Sequence, residues 1–272
     1  MYDVDAYAAE KHMPADWLTS QFVLSSGRDR KDNMPYVKIP YFDRASNKTV
    51  FRKRYPKESG LRFKWSQGSA GKLSFYGLWH LGAIEQSKYV ILVEGESDTQ
   101  ALHYMGFPAL GVPGAATFKA AWAADLKCID KVYLHVEPDN GGHIFKNKVI
   151  NKLAEGGFEG QLFVFTCAGA GVKDPSAVLI SKGKEDGCAF IKEQLKGATK
   201  VSVNDIPENI KGAPVNLREP DGWLFSDKGI FQIDQKSPEP KCICRTPIIL
   251  TRRLRSAVGE EKIEVAFKRD NV

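Results

Sequence analysis

Tyr89-Val90-Ile91-Leu92-Val93-Glu94-Gly95-Glu96-Ser97-Asp98, written YVILVEGESD, decides how the rest of the chain is read. Its first five residues form an apolar β-run of the kind that is buried on both faces of a parallel sheet. The run ends on Glu94, placing a carboxylate at the carboxyl end of a strand, where open α/β sheets bind their ligands. Gly95 permits a sharp turn there. Ser97 and Asp98 then fall where a helix over 99–105 needs a cap and negative charge. A second strand, Lys131–Val136, runs into Glu137-Pro138-Asp139-Asn140-Gly141-Gly142. Two strands of one sheet, each ending in carboxylates, point to a divalent-cation site.

Outward from this pair, strands and helices alternate. Strands are expected over 107–112 and 161–166, and helices over 79–86, 118–126, 144–155 and 185–196. This β-α-β-α order specifies a parallel sheet with helices on both faces, spanning about 87–198. A Gly-rich loop after the fourth strand (Ala168-Gly169-Ala170-Gly171) leads to Lys173-Asp174-Pro175-Ser176. Asp174 is there either as a turn or helix cap, or as a third cation-facing carboxylate.

The chain is 272 residues long, 43% hydrophobic, with a net charge of +6. That suits one large domain or two to three small ones with packed cores. No apolar run nears membrane-spanning length and the first ten residues lack a secretory pattern, so a cytoplasmic location is expected. The five cysteines (128, 167, 188, 242, 244) form no CxxC pair and indicate neither zinc nor a disulfide framework. The positive charge is concentrated. Residues 28–72 hold thirteen lysines and arginines against four acids, a local excess of nine, larger than the net charge of the whole chain. The same region follows a helix near 7–17, interrupted at Pro14, and reads as three period-two strands over 36–42, 48–55 and 61–65. Lys and Arg are expected along one strand face, with Phe51, Tyr55, Leu61, Phe63 and Trp65 on the other. Basic side chains interleaved with aromatics on a sheet suit a nucleic-acid backbone, and a solvated charged face is the alternative.

Beyond a linker containing Asn204–Pro207 and Gly212–Pro214, short antiparallel strands are expected over 222–225, 229–233, 246–251 and 262–267. There is no GxxxxGK[ST] run, so no P-loop ATPase.

In order, VEGxxD (Glu94, Asp98), PGA (Pro113–Ala115), an acidic-x-Asp pair followed by GG (Glu137, Asp139), and KDP (Lys173–Pro175) resemble the toprim domain. Upstream, IPYFD, FRKRY, RFKW and LSFYGL resemble the basic subdomain of the RNA-polymerase core of bacterial and phage primases. Together the two resemblances cover about residues 8–195. The β-rich end is similar to a region preceding the helicase ATPase in mobile-element primase–helicases, which implies a piece of a longer chain. The division expected is a basic α+β primase-like subdomain (1–86), a toprim domain (87–200) and a small β-rich region (215–272).

The resemblance implies a DNA primase-like nucleotidyltransferase. It would extend a short primer on single-stranded DNA from nucleoside triphosphates, using Mg²⁺ or Mn²⁺. A replicative helicase, or a helicase domain of the full chain, is the implied partner. Glu94 would be the general base or cation-organising residue, and Glu137, Asp139 and Asp174 the further ligands. Asp98 and Lys173 would support them, while Arg52, Arg54, Arg62, Lys64 and Lys72 would hold template and triphosphate. The chain departs from the family pattern in having Glu137 for the first Asp of Asp-x-Asp, Ser176 for the second Asp of DPD, and no zinc ribbon. A toprim nuclease could use the same carboxylates with water as nucleophile, and a non-catalytic nucleic-acid-binding module is the third reading. Nucleotide incorporation on a single-stranded template separates the three.

Overall fold

The computed structural model describes residues 2–69, 72–168 and 171–202, and beyond these the strands 223–226, 229–232, 241–244, 248–255 and 261–267. The chain forms two compact units, Met1–Asp205 and Ile206–Val272.

The first unit opens with helices α1 (Val4–Lys11) and α2 (Ala15–Phe22). Asp3 caps α1 by accepting the Ala6 amide, and Pro14, which has no amide hydrogen to contribute, stands at the cap position of α2. Four antiparallel strands follow in sequential order: β1 (Ser25–Arg28), β2 (Pro35–Phe42), β3 (Lys48–Arg54) and β4 (Phe63–Trp65). Strand β1 is not among the expected strands, because Ser-Ser-Gly-Arg has no hydrophobic alternation. It exists because β2 offers it a full antiparallel ladder from Ser25↔Lys38 to Arg28↔Pro35.

A short helix Leu78–His80 and α3 (Leu81–Ser87) lead into the five-stranded sheet. Its strands are β5 (Tyr89–Glu94), β6 (Ala109–Val112), β7 (Lys131–His135), β8 (Gln161–Phe165) and β9 (Thr199–Val201), ordered β6-β5-β7-β8-β9. The first four are parallel and β9 joins antiparallel. The connecting helices are α4 (Glu96–Tyr104), a 3-10 helix Ala120–Leu126, α5 (Asn140–Glu155) and α6 (Pro175–Lys196). The expected helix over 185–196 is only the second half of α6. The element starts at Pro175 and is broken at Gly183, whose φ of +75° a helix cannot hold.

Because β5, β7 and β8 are buried on both faces, the sheet separates two cores. On one face Val90, Leu92, Leu110, Val112, Val132 and Leu134 meet α3, the 120–126 helix and α5 through Ile84, Trp122 and Val149. On the other, Ile91 and Val93 meet α4 and α6, and this core runs without interruption into Tyr7, Leu18 and Phe22 of α1 and α2 and into Val37, Ile39 and Tyr41 of β2. Burying each such side chain contributes about 1.5–3 kcal/mol, so the basic sheet is fixed to the parallel sheet by apolar packing. Tyr7, Gln100 and Tyr76 are linked inside that junction: Tyr7 donates to Gln100 (2.6 Å), which donates to Tyr76 (2.7 Å). Tyr76 also exchanges two backbone hydrogen bonds with Gly111 of β6, at 2.8 and 2.9 Å.

The second unit contains a three-stranded antiparallel sheet of β10 (Trp223–Ser226), β11 (Gly229–Gln232) and β12 (Lys241–Cys244). It also contains a hairpin of β13 (Ile248–Arg255) and β14 (Glu261–Phe267). Strand β12 was not expected, and the linker residues 204–207 and 212–214 lie outside the described residues. Among the described residues no helix is long and apolar enough to cross a membrane.

Candidate active site at the carboxyl ends of β5 and β7

In the order β6-β5-β7-β8, the strand that follows β5 in sequence lies on one side of it and β7 on the other. That reversal opens a crevice outside the carboxyl ends of β5 and β7. Glu94 ends β5, and Glu137 follows the end of β7 by two residues. Between Glu94 and α4, Gly95 has φ +96°, a conformation that favours glycine, so the helix starts immediately after the carboxylate. The Glu94 carboxylate is partly buried, and its Oε1 accepts the Ala115 amide at 3.1 Å from the PGA loop after β6. Burial, then the charges of Glu137 and Asp139, push its pKa above the ordinary carboxylate range. The Ala115 amide and the Arg52 guanidinium pull the other way.

Glu137 and Asp139 are held by the glycines that follow them. Asp139 Oδ1 caps α5 through the Gly142 amide at 2.9 Å. A side chain at Gly142 would put its Cβ 2.0 Å from the Glu137 carbonyl oxygen, so only glycine lets the start of α5 lie against that residue. Glu137 Oε2 accepts the Lys173 ammonium at 2.8 Å, and the hydrogen bond pushes the lysine's pKa up. Lys173 also lies 3.6 Å from Asp174. Asp174 caps α6 by accepting the Ala177 amide at 2.7 Å. Lys173 thus lies as a fixed cation between two carboxylates.

Asp98 differs from its expected role. Gly95 occupies the cap position of α4, and Asp98, one turn inside, is 6% exposed. Its Oδ1 accepts the Ser176 amide at 3.0 Å, so this acid in the first turn of α4 also serves the start of α6. Burial and the neighbouring Asp174 raise its pKa, and the Lys11 ammonium opposes this. Ser176 is buried there, its hydroxyl 3.4 Å from Lys11.

The basic sheet is arranged differently from the sequence expectation. Arg52 and Arg54 of β3 point to the inner face with Val50, not to solvent. Arg52 donates to both oxygens of Glu96, at 3.0 and 3.1 Å, and its guanidinium lies 4.1 Å from the Phe63 ring centroid and 5.2 Å from that of Trp65. Arg54 is 5% exposed, pairs with Glu10 at 3.3 Å, and lies over Tyr7 and Phe63. Arg62, Lys64 and Lys72 are exposed. Glu96, buried and bonded by Tyr41 at 2.6 Å as well as by Arg52, was not singled out in the sequence. In EGES it reads as one more solvated acid near a helix start, and only its packing beneath β2 and β3 reveals it.

Among the described residues no three His, Cys, Asp or Glu side chains form a ready group for a metal ion. The donors at the crevice are nevertheless suited to one. They are carboxylates, with Glu137 and Asp139 close enough to act on Glu94, and a lysine is already drawn to Glu137 and Asp174. Such a sparse set fits a hydrated cation that takes its other oxygens from water and substrate phosphates. Cys128, Cys167 and Cys188 are free thiols, and burial pushes the Cys167 thiol up and keeps it protonated.

A parallel sheet with acids at its switch point, joined to an antiparallel basic sheet, defines a toprim-type core. Solved structures with this fold are catalytic cores of bacterial primases. The Escherichia coli primase catalytic core is 14% identical, with a TM-score of 0.58 over 78% of this chain and 78% of that one. The Aquifex aeolicus primase, with zinc-binding and RNA polymerase domains, is 17% identical at a TM-score of 0.57, over 72% of this chain and 56% of that one. A DnaG primase catalytic domain bound to single-stranded DNA gives 0.57 at 14% identity, over 78% and 77%. No protein-family model matches the chain, and comparison with curated proteins gives no match. The first unit therefore has the fold of the primase catalytic core.

Proposed function

We propose that the protein is a DNA primase-like nucleotidyltransferase that extends a short primer on a single-stranded DNA template from nucleoside triphosphates. The observation that carries this is the placement of Glu94, Glu137 and Asp139 at the carboxyl ends of β5 and β7, on either side of the switch point, in the same packed unit as a basic antiparallel sheet. Likeness to a primase domain bound to single-stranded DNA supports the template class.

Residues 1–86 would act as the basic subdomain and 87–200 as the catalytic domain, with 215–272 as a separate region. Glu94, Glu137 and Asp139, with Asp174 at the margin, would hold Mg²⁺ or Mn²⁺. The chemistry such a cation would supply is a lower pKa for the primer 3′-hydroxyl and neutralisation of phosphoryl charge. Glu94 Oε1 is engaged by the Ala115 amide, which orients the carboxylate and leaves Oε2 to accept the 3′-hydroxyl proton. Its raised pKa suits that transfer. Lys173 neutralises Glu137 and Asp174 until substrate and cation arrive. Arg62, Lys64 and Lys72 hold template phosphates without reading sequence. A replicative helicase, or a helicase domain of the full chain, is the partner this reading implies.

The test is incorporation of labelled nucleotides on single-stranded DNA with Mg²⁺ or Mn²⁺. Extension products that depend on the cation are expected. Cleavage of the template with no extension would replace this reading by the nuclease, and binding with neither would replace it by the non-catalytic module.

A further inference from the structure

Strands β5 and β7 begin, at the end of the sheet opposite the acids, beside a cavity of about 270 Å³. Tyr89 of β5, Tyr133 of β7 and Leu195 in the last turn of α6 line it. The two tyrosine rings meet at 88° with centroids 5.9 Å apart, and so form a corner. Phe163 of β8 stacks on Tyr133 at 5.1 Å and restrains that ring. Lys88, Asp130 and Lys131 are also in the lining. The Lys88 carbonyl accepts the Asp130 amide at 2.9 Å and the Lys131 amide at 3.2 Å, which ties the end of α3 to the start of β7 and makes this rim a fixed part of the fold. Lys88 itself has φ +60°, a conformation that favours glycine, so a charged side chain is carried here at some conformational cost.

The polar groups of the lining are uncommitted. Among the described residues neither the Tyr89 nor the Tyr133 hydroxyl has a hydrogen-bond partner, and neither Lys88 nor Lys131 forms an ion pair, even with Asp130. Two rings at a right angle offer a face and an edge to a third flat ring. Two ammonium groups against one carboxylate suit a single phosphate better than a polyphosphate. The volume falls just below the range of about 300–1,000 Å³ usual for drug-sized ligands, so one small ring-bearing molecule fits and a chain segment does not.

We propose that this cavity binds a flat anion of the size of a nucleoside monophosphate, its ring in the corner of Tyr89 and Tyr133 and its phosphate at Lys88 and Lys131. The site is distinct from the crevice. Tyr89 and Glu94 are the first and last residues of β5, roughly 17 Å apart along an extended strand. No residue of the cavity takes part in the nucleotidyltransferase reading.

The experiment titrates the protein, carrying ring-labelled tyrosine, with AMP in the presence of EDTA and follows it by NMR. The Tyr89 and Tyr133 resonances, assigned by their loss in Tyr89→Phe and Tyr133→Phe, are expected to move together and saturate. Inorganic phosphate alone and adenosine alone are each expected to bind at least about tenfold more weakly than AMP, because each engages half of the site. Lys131→Ala, a surface substitution, is expected to weaken AMP about fivefold. Tyr133→Leu is expected to weaken it about tenfold through loss of one base–aromatic contact.

Absence of saturable shifts at these two tyrosines overturns the proposal. So does phosphate binding as tightly as AMP, which would leave only charge on two lysines, or wild-type affinity in Lys131→Ala. If Tyr133→Leu does not fold, Lys131→Ala and the comparison of AMP with its two halves decide. None of these measurements requires nucleotide incorporation, so failure here and failure of the nucleotidyltransferase reading are separate results.

Discussion

The first turn of α5 rests on the backbone of Glu137: a Cβ at Gly142 would lie 2.0 Å from the Glu137 carbonyl oxygen and 2.8 Å from its amide nitrogen. One glycine therefore sets the height at which this carboxylate leaves β7. Gly142→Ala should reveal it, because two effects oppose each other. Helix propensity favours Ala by about 1 kcal/mol. Overpacking against backbone that cannot yield costs about 1–3 kcal/mol, and the clash should win. Chemical denaturation is expected to give a less stable protein, with incorporation reduced further than stability alone explains.

Glu94→Gln tests the catalytic assignment. Loss of a proton acceptor should reduce cation-dependent incorporation by more than about a hundredfold. The stability change has a defined sign. A carboxyl whose folded pKa is raised weakens the fold above that pKa, and the penalty is relieved as pH falls through it. The Gln variant carries no such penalty, so at pH 7 it should melt no lower than wild type. A stable variant with near wild-type synthesis would remove Glu94 from the chemistry.

Arg62 and Lys64 separate affinity from chemistry. Both are exposed on β4 or beside it, whereas Arg52 and Arg54 are bound within the protein. Replacing both exposed residues with Ala should weaken single-strand binding for every base sequence. The slope of log K against log salt should flatten by roughly 1.4, about 0.7 for each lost phosphate contact. Fluorescent-oligonucleotide titrations across a salt series measure this, and an unchanged slope would return β4 to a solvated surface.

Arg54→Ala addresses stability. The side chain is nearly buried, paired with Glu10, and packed over two rings. Glu10 retains Lys57 at 3.3 Å and Lys11 at 3.9 Å, so it is not stranded. The loss should therefore fall below that of a fully broken buried pair, at about 2–3 kcal/mol. Arg54→Met, which keeps the apolar stem, should lose about half as much. Urea unfolding of the two variants distinguishes packing from charge.

His103 makes stability depend on acid. Burial, and then neighbouring His80, depress its pKa to about 4, while its Nε2 meets the Ala109 carbonyl at 2.8 Å. The unfolded chain binds this proton near the ordinary value of about 6.5. Stability from the neutral ring is thus complete above about 6.5 and is lost progressively as pH falls toward 4. In His103→Asn the slope of unfolding free energy against pH in that window should be shallower by up to about 1.4 kcal/mol per pH unit. Equal slopes would mean that other groups govern acid unfolding.

The sheet that carries the site was legible because its strands are unbroken apolar runs that end in acids, as in Tyr89–Glu94 and Lys131–His135 followed by Glu137. The elements that escaped have no period of their own. Ser25–Arg28 and Thr199–Val201 are strands only because β2 and β8 present ladders to them. The first half of α6 escaped although Asp174 was read as a turn or helix cap, because no helix was drawn from Pro175, a residue well placed at a helix start. At the site, the periodicity of β3 identified two faces but not which one points inward. The charged face with Arg52 and Arg54 is turned toward the core, where Glu96, Tyr41 and Glu10 receive it. Sequence periodicity separates faces by polarity and so misplaces a face whose charges are neutralised inside.

The two hydrogen bonds between Tyr76 and Gly111 have a consequence for the molecule in a crowded solution. An outer strand with free amides and carbonyls is a template on which a second chain can pair and begin to aggregate. Strand β6 is the outer parallel strand, all of it buried, and the segment before the 78–80 helix lies along it and occupies hydrogen-bonding groups at Gly111. The opposite border ends in β9, three residues long with Lys200 at its centre, which is too short and too charged to recruit a partner. The connection that joins the basic half to the parallel-sheet half thus also covers the border at which a neighbouring copy of the protein could add to that sheet.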